Sequence, residues 1–344
     1  MLERAALARS EPDSARFGLE VWRATRLDDD PLPGLLHSAA DVAIYRLPVG
    51  STTPVRALAA QGFDVIDAGV LVYYTVDLAR SCPRPVVNRD VTISLATADD
   101  DEVVGALVDG SFGNYASHYL ANPLFTRSLA LAGYREWALR HRSNAGTTTW
   151  IARRQGRAIA FASCEADRHA GIANGGVFGV LPSEAGGGLF SDLIRHTQAH
   201  YRELGFGEMR MSTKVDNFAV QKVWGREGFH LYAAFDTLHV NAMLSATTRP
   251  VATRRHAPGV AVIDVEGQLP AAAFAALASE AAGIPLAPVL RSTLRLADIA
   301  AGSGHVLTVR AGWPSIGGTL RANAWLHDDH GRACAFSQAW CVAA

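Results

Sequence analysis

Lysine is nearly missing from this chain. Lys214 and Lys222 are the only two, so almost all of the 32 basic residues are arginine. With 33 acids against them the net charge is −1, without the basic surplus a general nucleic-acid binder needs. Cysteine is scarce as well. Cys82, Cys164, Cys334 and Cys341 stand apart without C-x-x-C spacing, so they form neither a disulfide framework nor a metal-site pattern, and no metal is expected. No apolar run approaches the roughly 20 residues of a membrane span. The opening stretch MLERAALARSEPDSARFG carries acids and lacks an apolar signal core. A cytoplasmic location is expected, with neither a membrane nor a nucleic acid as partner.

What is present is material for buried cores. Of 344 residues, 49% are hydrophobic and 19% charged, a globular balance at a length that implies two or three domains. Two stretches read as linkers: RSCPRPVVNRD (80–90), rich in Pro and Arg, and LSATTRPVATRRHAPG (244–259). They divide the chain into domains at 1–82, 88–243 and 256–344. The first segment ends in a short helix, the pair Gly62-Phe63, and two strand-like runs. The middle segment ends alike, with an apolar residue (Leu58, Trp224) four before its Gly-Phe pair. That likeness makes the first segment a degenerate half-domain related to the second.

The middle segment alternates strands and helices. A strand at DVTISLA leads to a helix capped by Thr97 or Asp99, with acids in its first turn. TTTWIARRQGRAIAFASCEAD is a hairpin around Gln155-Gly156, and GIANGGVFGVLP is a further strand. In GLFSDLIRHTQAHYRELG the positions Leu189, Leu193, Ile194, Thr197 and Tyr201 keep the 3.6 period, and Gly205 ends the helix. FGEMRMSTKVDN is a strand and FAVQKVWGREGF the last helix.

Between the strand GVFGVLP and that long helix stand Gly186, Gly187 and Gly188. A strand, a glycine turn and a helix N-terminus make an anion site, because unpaired N–H groups and a partial positive charge meet where glycine admits close approach. Neither G-x-x-x-x-G-K-S/T nor G-x-G-x-x-G is met. About 30 residues on comes DNFAVQKVWGREGF, a short helix entered at Asn217.

These two stretches resemble the GNAT superfamily of acyl-CoA-dependent N-acyltransferases. There a strand leads into Gln/Arg-x-x-Gly-x-Gly/Ala at a helix start, and a later helix carries N-x-x-A-x-x-x-Y-x-x-x-G-F. Ala185, Gly188 and Phe190 fall on the first motif. Asn217, Val220, Trp224, Gly228 and Phe229 fall on the second. The resemblance implies an α/β (α+β) GNAT fold with acetyl-CoA or another acyl-CoA as donor and a small amine as acceptor. More narrowly, SFGNYASHYLANPLF and the stretch from DLIRHTQAHY onward are similar to acetyltransferases of TDP-linked 4-amino-4,6-dideoxyhexoses, which also carry an N-terminal half-domain.

The resemblance assigns the diphosphate of the donor to the amides of Gly186, Gly187, Gly188, Leu189 and Phe190. It assigns the pantetheine to the strand 178–182, with Val180 or Leu181 N–H polarising the thioester carbonyl. Asn217 and Trp224 complete the donor site. Two departures stand out: Ala185 replaces the usual Arg or Gln, and Trp224 replaces the tyrosine that protonates the departing thiolate. An indole N–H donates a hydrogen bond but yields no proton at neutral pH. An acyl carrier protein as donor accounts for Ala185, since carrier-bound pantetheine lacks the diphosphate. Candidates for the base are His118, Glu165, Asp167 and His169, with His118 and Glu165 foremost; Asn174 is a candidate for orienting the acceptor. RRQGR (153–157) reads as either a diphosphate site or a solvated hairpin tip.

From Pro258 the pattern changes to a strand, an alanine-rich helix ended by Gly283, and an antiparallel meander with a turn at DDHG. This resembles a hotdog domain, the fold of acyl-thioesterases. It offers no clear catalytic carboxylate; Glu266 and Gln268 come nearest. Packing, homodimer formation or handling of the acyl chain are the roles open to it. A non-catalytic thioester-binding module is the alternative for the whole chain.

Overall fold

The computed structural model describes residues 7–27, 30–38, 40–61, 63–140, 146–242, 259–265, 271–295, 302–314, 319–328 and 333–344. Glu266, Gln268, most of the 244–259 stretch and all but Asp328 of the DDHG turn lie outside them. In chain order the first elements are β1 (Ala8–Arg9), α1 (Glu11–Phe17), β2 (Val21–Ala24), α2 (Pro31–His37), β3 (Val42–Pro48), α3 (Thr53–Ala57) and β4 (Asp64–Asp77). Then come β5 (Val91–Leu95), α4 (Asp101–Phe112), α5 (Arg127–Ala138), β6 (Thr147–Arg154), β7 (Arg157–Asp167) and β8 (Ile172–Val180). They are followed by α6 (Leu189–Glu203), β9 (Glu208–Lys214), α7 (Phe218–Arg226) and β10 (His230–Asn241). The last are β11 (Val260–Val265), α8 (Ala271–Ala282), β12 (Leu286–Arg295), β13 (Gly302–Pro314), β14 (Leu320–His327) and β15 (Ala333–Ala343). The fold is mixed α/β, as the sequence pattern predicts. The two strand-like runs at 64–77 are one strand, in which Gly69 takes a φ of 94°.

Two compact units emerge: residues 1–68, 121–125 and 236–344 form one, and 69–120 with 126–235 the other. In the first, β2 pairs in parallel with β3, and the C-terminal strands form an antiparallel sheet in the order β11-β13-β14-β15-β12. One face of that sheet packs under α8 through Phe274, Leu277, Leu307, Leu326 and Ala339. The opposite face places Trp325 and Phe336 in a core with Tyr45, Leu47, Phe63, Leu238 and Val240. Several polar groups on this second face are buried and bonded. Arg321 meets the carboxylate of Asp64 and donates to Asn241 O at 2.5 Å, and Trp340 donates to Asp64 at 3.1 Å. Burial pushes the Arg321 guanidinium down to about 9, so it stays charged at neutral pH. The C-terminal segment is thus part of the first unit's interior.

In the second unit the strand order is β4-β9-β8-β7-β6-β5. Apolar side chains of one sheet face (Met209, Met211, Cys164, Ala160) meet Leu193, Ile194, Trp224 and Phe229 of the α6–α7 layer. The other face buries Ile151, Phe161 and Val177 under α4 and α5, through Val104, Leu107, Val108 and Ala138. A capping box between Thr97 and Asp100 opens the turn into α4. Gln155 and Gly156 both take positive φ, as a two-residue hairpin of this twist requires.

Candidate active site in the second unit

β8 carries the central geometry. It runs parallel to β9 only from Ile172 to Asn174, opposite Glu208 to Arg210, after which no pairing joins them among the described residues. Along its other edge β8 stays paired to β7, with Phe161 opposite Gly179 and Ala160 opposite Val180. Leu181 N–H donates to Ile159 O at 3.0 Å. Antiparallel pairing alternates, so Gly179 and Leu181 turn their N–H groups toward β7, and Val180 turns its own toward the opened side. Of the two oxyanion donors expected from the sequence, Leu181 is therefore spent within the sheet. Val180 remains.

The glycine turn sits where β8 meets α6. Gly186 and Gly188 have φ of 86° and 80°, the left-handed region that an L side chain rarely adopts. Gly188 is the N-cap of α6, and no side chain among the described residues caps the helix. Among the described residues no hydrogen bond uses the N–H groups of Leu189 or Phe190, which leaves them for a ligand. Residues 185–188 are exposed, while Phe190 turns back to meet Phe178 of β8 edge-on at 6.2 Å.

The stretch 80–90, a linker by composition, is fastened across this turn. Asp192 of α6 accepts the N–H groups of Val87 and Asn88, each at 2.9 Å, and Asn88 Nδ2 at 2.7 Å. The same Nδ2 donates to Gly187 O at 3.1 Å. Arg195 donates to Pro85 O at 3.2 Å and closes a two-pronged pair with Glu227 at 2.8 Å on both arms. Gln198 adds a bond to Glu227 O at 3.0 Å. Sequence periodicity hides this strap because its bonds come from backbone groups. The one signal was the polar residues Asp192, Arg195 and Gln198 among the apolar positions of α6's buried face.

Burial by itself works against the Asp192 charge. The Asn88 and Val87 bonds and the Arg195 guanidinium outweigh it and hold the carboxyl below its usual range. A lowered native value means the unfolded chain binds more protons in acid, so this stabilisation is full above about pH 4 and lost as pH falls through the lowered value. The urea midpoints of wild type and Asp192→Asn are expected to differ at pH 7 and to converge below about pH 4. A gap unchanged from pH 7 to pH 3 contradicts the strap's electrostatic anchoring.

Two of the three arginines of the hairpin tip, Arg153 and Arg154, are paired within the protein. Arg153 pairs with Asp100 at 2.5 Å, and Arg154 pairs with Asp90 at 2.7 Å and with Glu184. Arg154 ties the strap to the residues just ahead of the glycine turn, and Arg153 holds the turn into α4.

Trp224 is 3% exposed and packs on Tyr74 at 5.4 Å. Among the described residues its Nε1–H has no hydrogen-bond partner, an expensive state for a buried donor. Asn217 precedes α7 and donates to Thr213 Oγ1 at 3.0 Å, so it braces β9 against the helix.

On the face covered in part by α4 and α5, register places a polar row. Glu165 is opposite Asn174, Asn174 is opposite Arg210, and Arg210 is opposite Thr75. Glu165 accepts from Arg140 at 3.1 Å. Arg210 forks onto Glu208 at 2.8 and 2.9 Å, and Glu208 takes the Thr75 hydroxyl. His118 lies in a single helical turn, His118–Ala121, with its ring 4.1 Å from that of Tyr119. Tyr115, three residues before it, bonds to the Thr213 side chain and the Lys214 backbone at the end of β9. Asp167 instead caps a turn, accepting Ala170 N–H at 2.9 Å, and His169 is exposed. The sequence marked Glu165 and Asn174 singly; the alternation E-M-R-M-S-T-K in β9 was the signal for Arg210.

Among the described residues no group of three or more His, Cys, Asp or Glu is placed to hold a metal ion, and no helix is long and apolar enough to cross a membrane.

Residues 115–229 match the model of the acetyltransferase (GNAT) family. Among solved structures the chain is similar to the GCN5-related N-acetyltransferase from Sphaerobacter thermophilus, at 16% identity and a TM-score of 0.43, over 58% of this chain and 59% of that one. It is also similar to the GCN5-related N-acetyltransferase from Kribbella flavida, at 17% identity and a TM-score of 0.44, over 64% and 82%. Among curated proteins none matches this sequence.

Proposed function

With a GNAT acetyltransferase domain at its centre and the enzyme class that domain carries, we propose that this chain moves an acyl group from a pantetheine thioester to the amine of a small polar acceptor. The observation that carries the proposal is the parting of β8 from β9 beyond Asn174, with the Val180 N–H turned into the opening. A strand edge opened in this way binds an extended pantetheine amide arm as a further strand would. Acyl-CoA is the donor in this reading, and the backbone amides after Gly188 receive its diphosphate.

The acceptor arrives on the face of Glu165 and Asn174. Its neutral amine attacks the thioester carbonyl, the carbon–sulfur bond breaks, and the Val180 N–H steadies the oxygen that gains charge. The proton shed by the amine passes to Glu165 or His118. Trp224 steadies the leaving sulfur by donating its unused N–H and transfers no proton, so the thiolate takes its proton from water. An amino sugar is the acceptor class we favour, in line with the resemblance to the TDP-sugar enzymes. The C-terminal sheet, hotdog-like in its single helix over an antiparallel meander, serves to fill the first unit's interior.

The test is release of free thiol from acetyl-CoA, scored across amino sugars, their nucleotides and simple amines. Release that depends on added amine is expected. Donor binding without any amine-dependent release contradicts the transferase and favours a non-catalytic thioester-binding module. Transfer from an acylated carrier protein alone moves the donor assignment there. A His118→Ala variant that keeps full turnover across pH assigns the base to Glu165.

A further inference from the structure

The polar row beside the opened strands does not end at Thr75. On β4 the neighbouring Tyr73 meets Phe235 edge-on at 5.2 Å and Tyr232 at 6.2 Å, both on β10. The Arg210 guanidinium lies 5.5 Å over the Tyr232 ring, on the same face as Asn174 and Glu165. Tyr232 is 45% exposed, and Tyr73 and Phe235 are half-buried. This is an unusual place for accessible aromatic rings, since the opposite face of the same strands sends its aromatic Tyr74 into the core.

The arrangement pairs a carboxylate and an amide at one end with a ring cluster at the other. Neighbouring strands lie about 4.8 Å apart, so Tyr73 on β4 and Tyr232 on β10 stand two and three strand spacings, about 10–15 Å, from Asn174 on β8. Aromatic faces and edges attract a flat ring, and a guanidinium stacked on one of them holds it in a fixed attitude. Arg210 is tied to Glu208 through both arms, so its charge is largely matched and the shelf selects for shape more than for an anion.

We infer that Tyr73, Tyr232 and Phe235 form a second acceptor subsite, which binds a flat ring carried by the same molecule as the reacting amine. The inference rests on the transferase reading for its direction, with the amine toward Glu165 and Asn174 and the ring toward β10. It narrows the acceptor class from any small amine to an amine with a ring substituent.

The experiment measures binding, so that it stands apart from turnover. Glucosamine and its 4-nitrophenyl β-glycoside are titrated into the full chain by calorimetry, for wild type, Tyr232→Ala and Tyr232→Phe. The aryl glycoside is expected to bind at least about tenfold tighter than glucosamine, with that advantage lost in Tyr232→Ala and kept in Tyr232→Phe. Equal affinities in wild type, no binding of the glycoside, or an advantage that survives Tyr232→Ala overturns the subsite. Acetyl-CoA titrated into the same samples tests the donor reading on its own. A shelf that binds the glycoside beside a donor site that binds nothing sinks the transferase and leaves the ring site standing.

Discussion

Gly188→Val is expected to weaken binding of an acyl-CoA donor by about 30- to 100-fold, which corresponds to about 2–3 kcal/mol. Two effects add. Gly188 has a φ of 80°, and an L side chain there costs about 1–2 kcal/mol, more when it is β-branched. The new Cβ also lies 3.5 Å from Val87 Cγ2 and 3.8 Å from Asn88 Nδ2, so the two methyls beyond it press on the strap. The turn can relieve both only by moving the N-terminus of α6, and with it the free N–H groups of Leu189 and Phe190. The check is calorimetric titration with coenzyme A, beside a denaturation curve that shows the variant folded. Unchanged affinity in a folded Gly188→Val protein contradicts the cradle.

Glu227→Ala carries the largest expected loss of stability. The Arg195–Glu227 pair is almost fully enclosed, with side chains 10% and 3% exposed, and both arms are well placed. Removing one member of such a pair leaves a buried charge uncompensated and costs about 3–5 kcal/mol, far above the 0–1 kcal/mol of an exposed pair. Among the described residues, Arg195 keeps only Asp192 and Pro85 O after the change. Urea denaturation measures the effect. A loss below about 1 kcal/mol shows the pair to be replaceable by water.

Both predictions concern contacts that a linear reading of the chain gives weakly. The elements themselves were legible, because period and punctuation agree. The apolar positions of α6 keep the helical period and Gly205 ends it with a φ of 82°, while Gln155-Gly156 makes the hairpin its composition announces. The glycine turn was legible only together with the stretch DNFAVQKVWGREGF about 30 residues later, since three glycines alone mark a flexible turn as readily as a ligand cradle. The choice between Val180 and Leu181 was not, since it depends on which side of β8 the pairing lies, and a bulge opposite Ser163 shifts that count. The strap was hidden for a different reason. A segment of Pro, Arg and Asn has no period, and it is ordered here by two carboxylate oxygens that come 104 and 105 residues later. The polar row and aromatic shelf needed three registers at once, and registers between distant strands are not written in local pattern.

Ala185 stays the sharpest departure from the pattern that its neighbours follow, because in the proposed donor site it offers a diphosphate no side-chain contact and leaves only the backbone to hold that group. Arg153 and Arg154 are spent on Asp100, Asp90 and Glu184, and Arg195, the arginine nearest the turn in sequence, on Glu227 and Asp192. The most direct measurement is therefore a paired titration of the wild-type chain with coenzyme A and with pantetheine, which lacks the nucleotide diphosphate. The account predicts that coenzyme A binds at least about tenfold tighter, about 1.4 kcal/mol, through the amides that follow Gly188. Equal affinity for the two would contradict a diphosphate cradle at this turn.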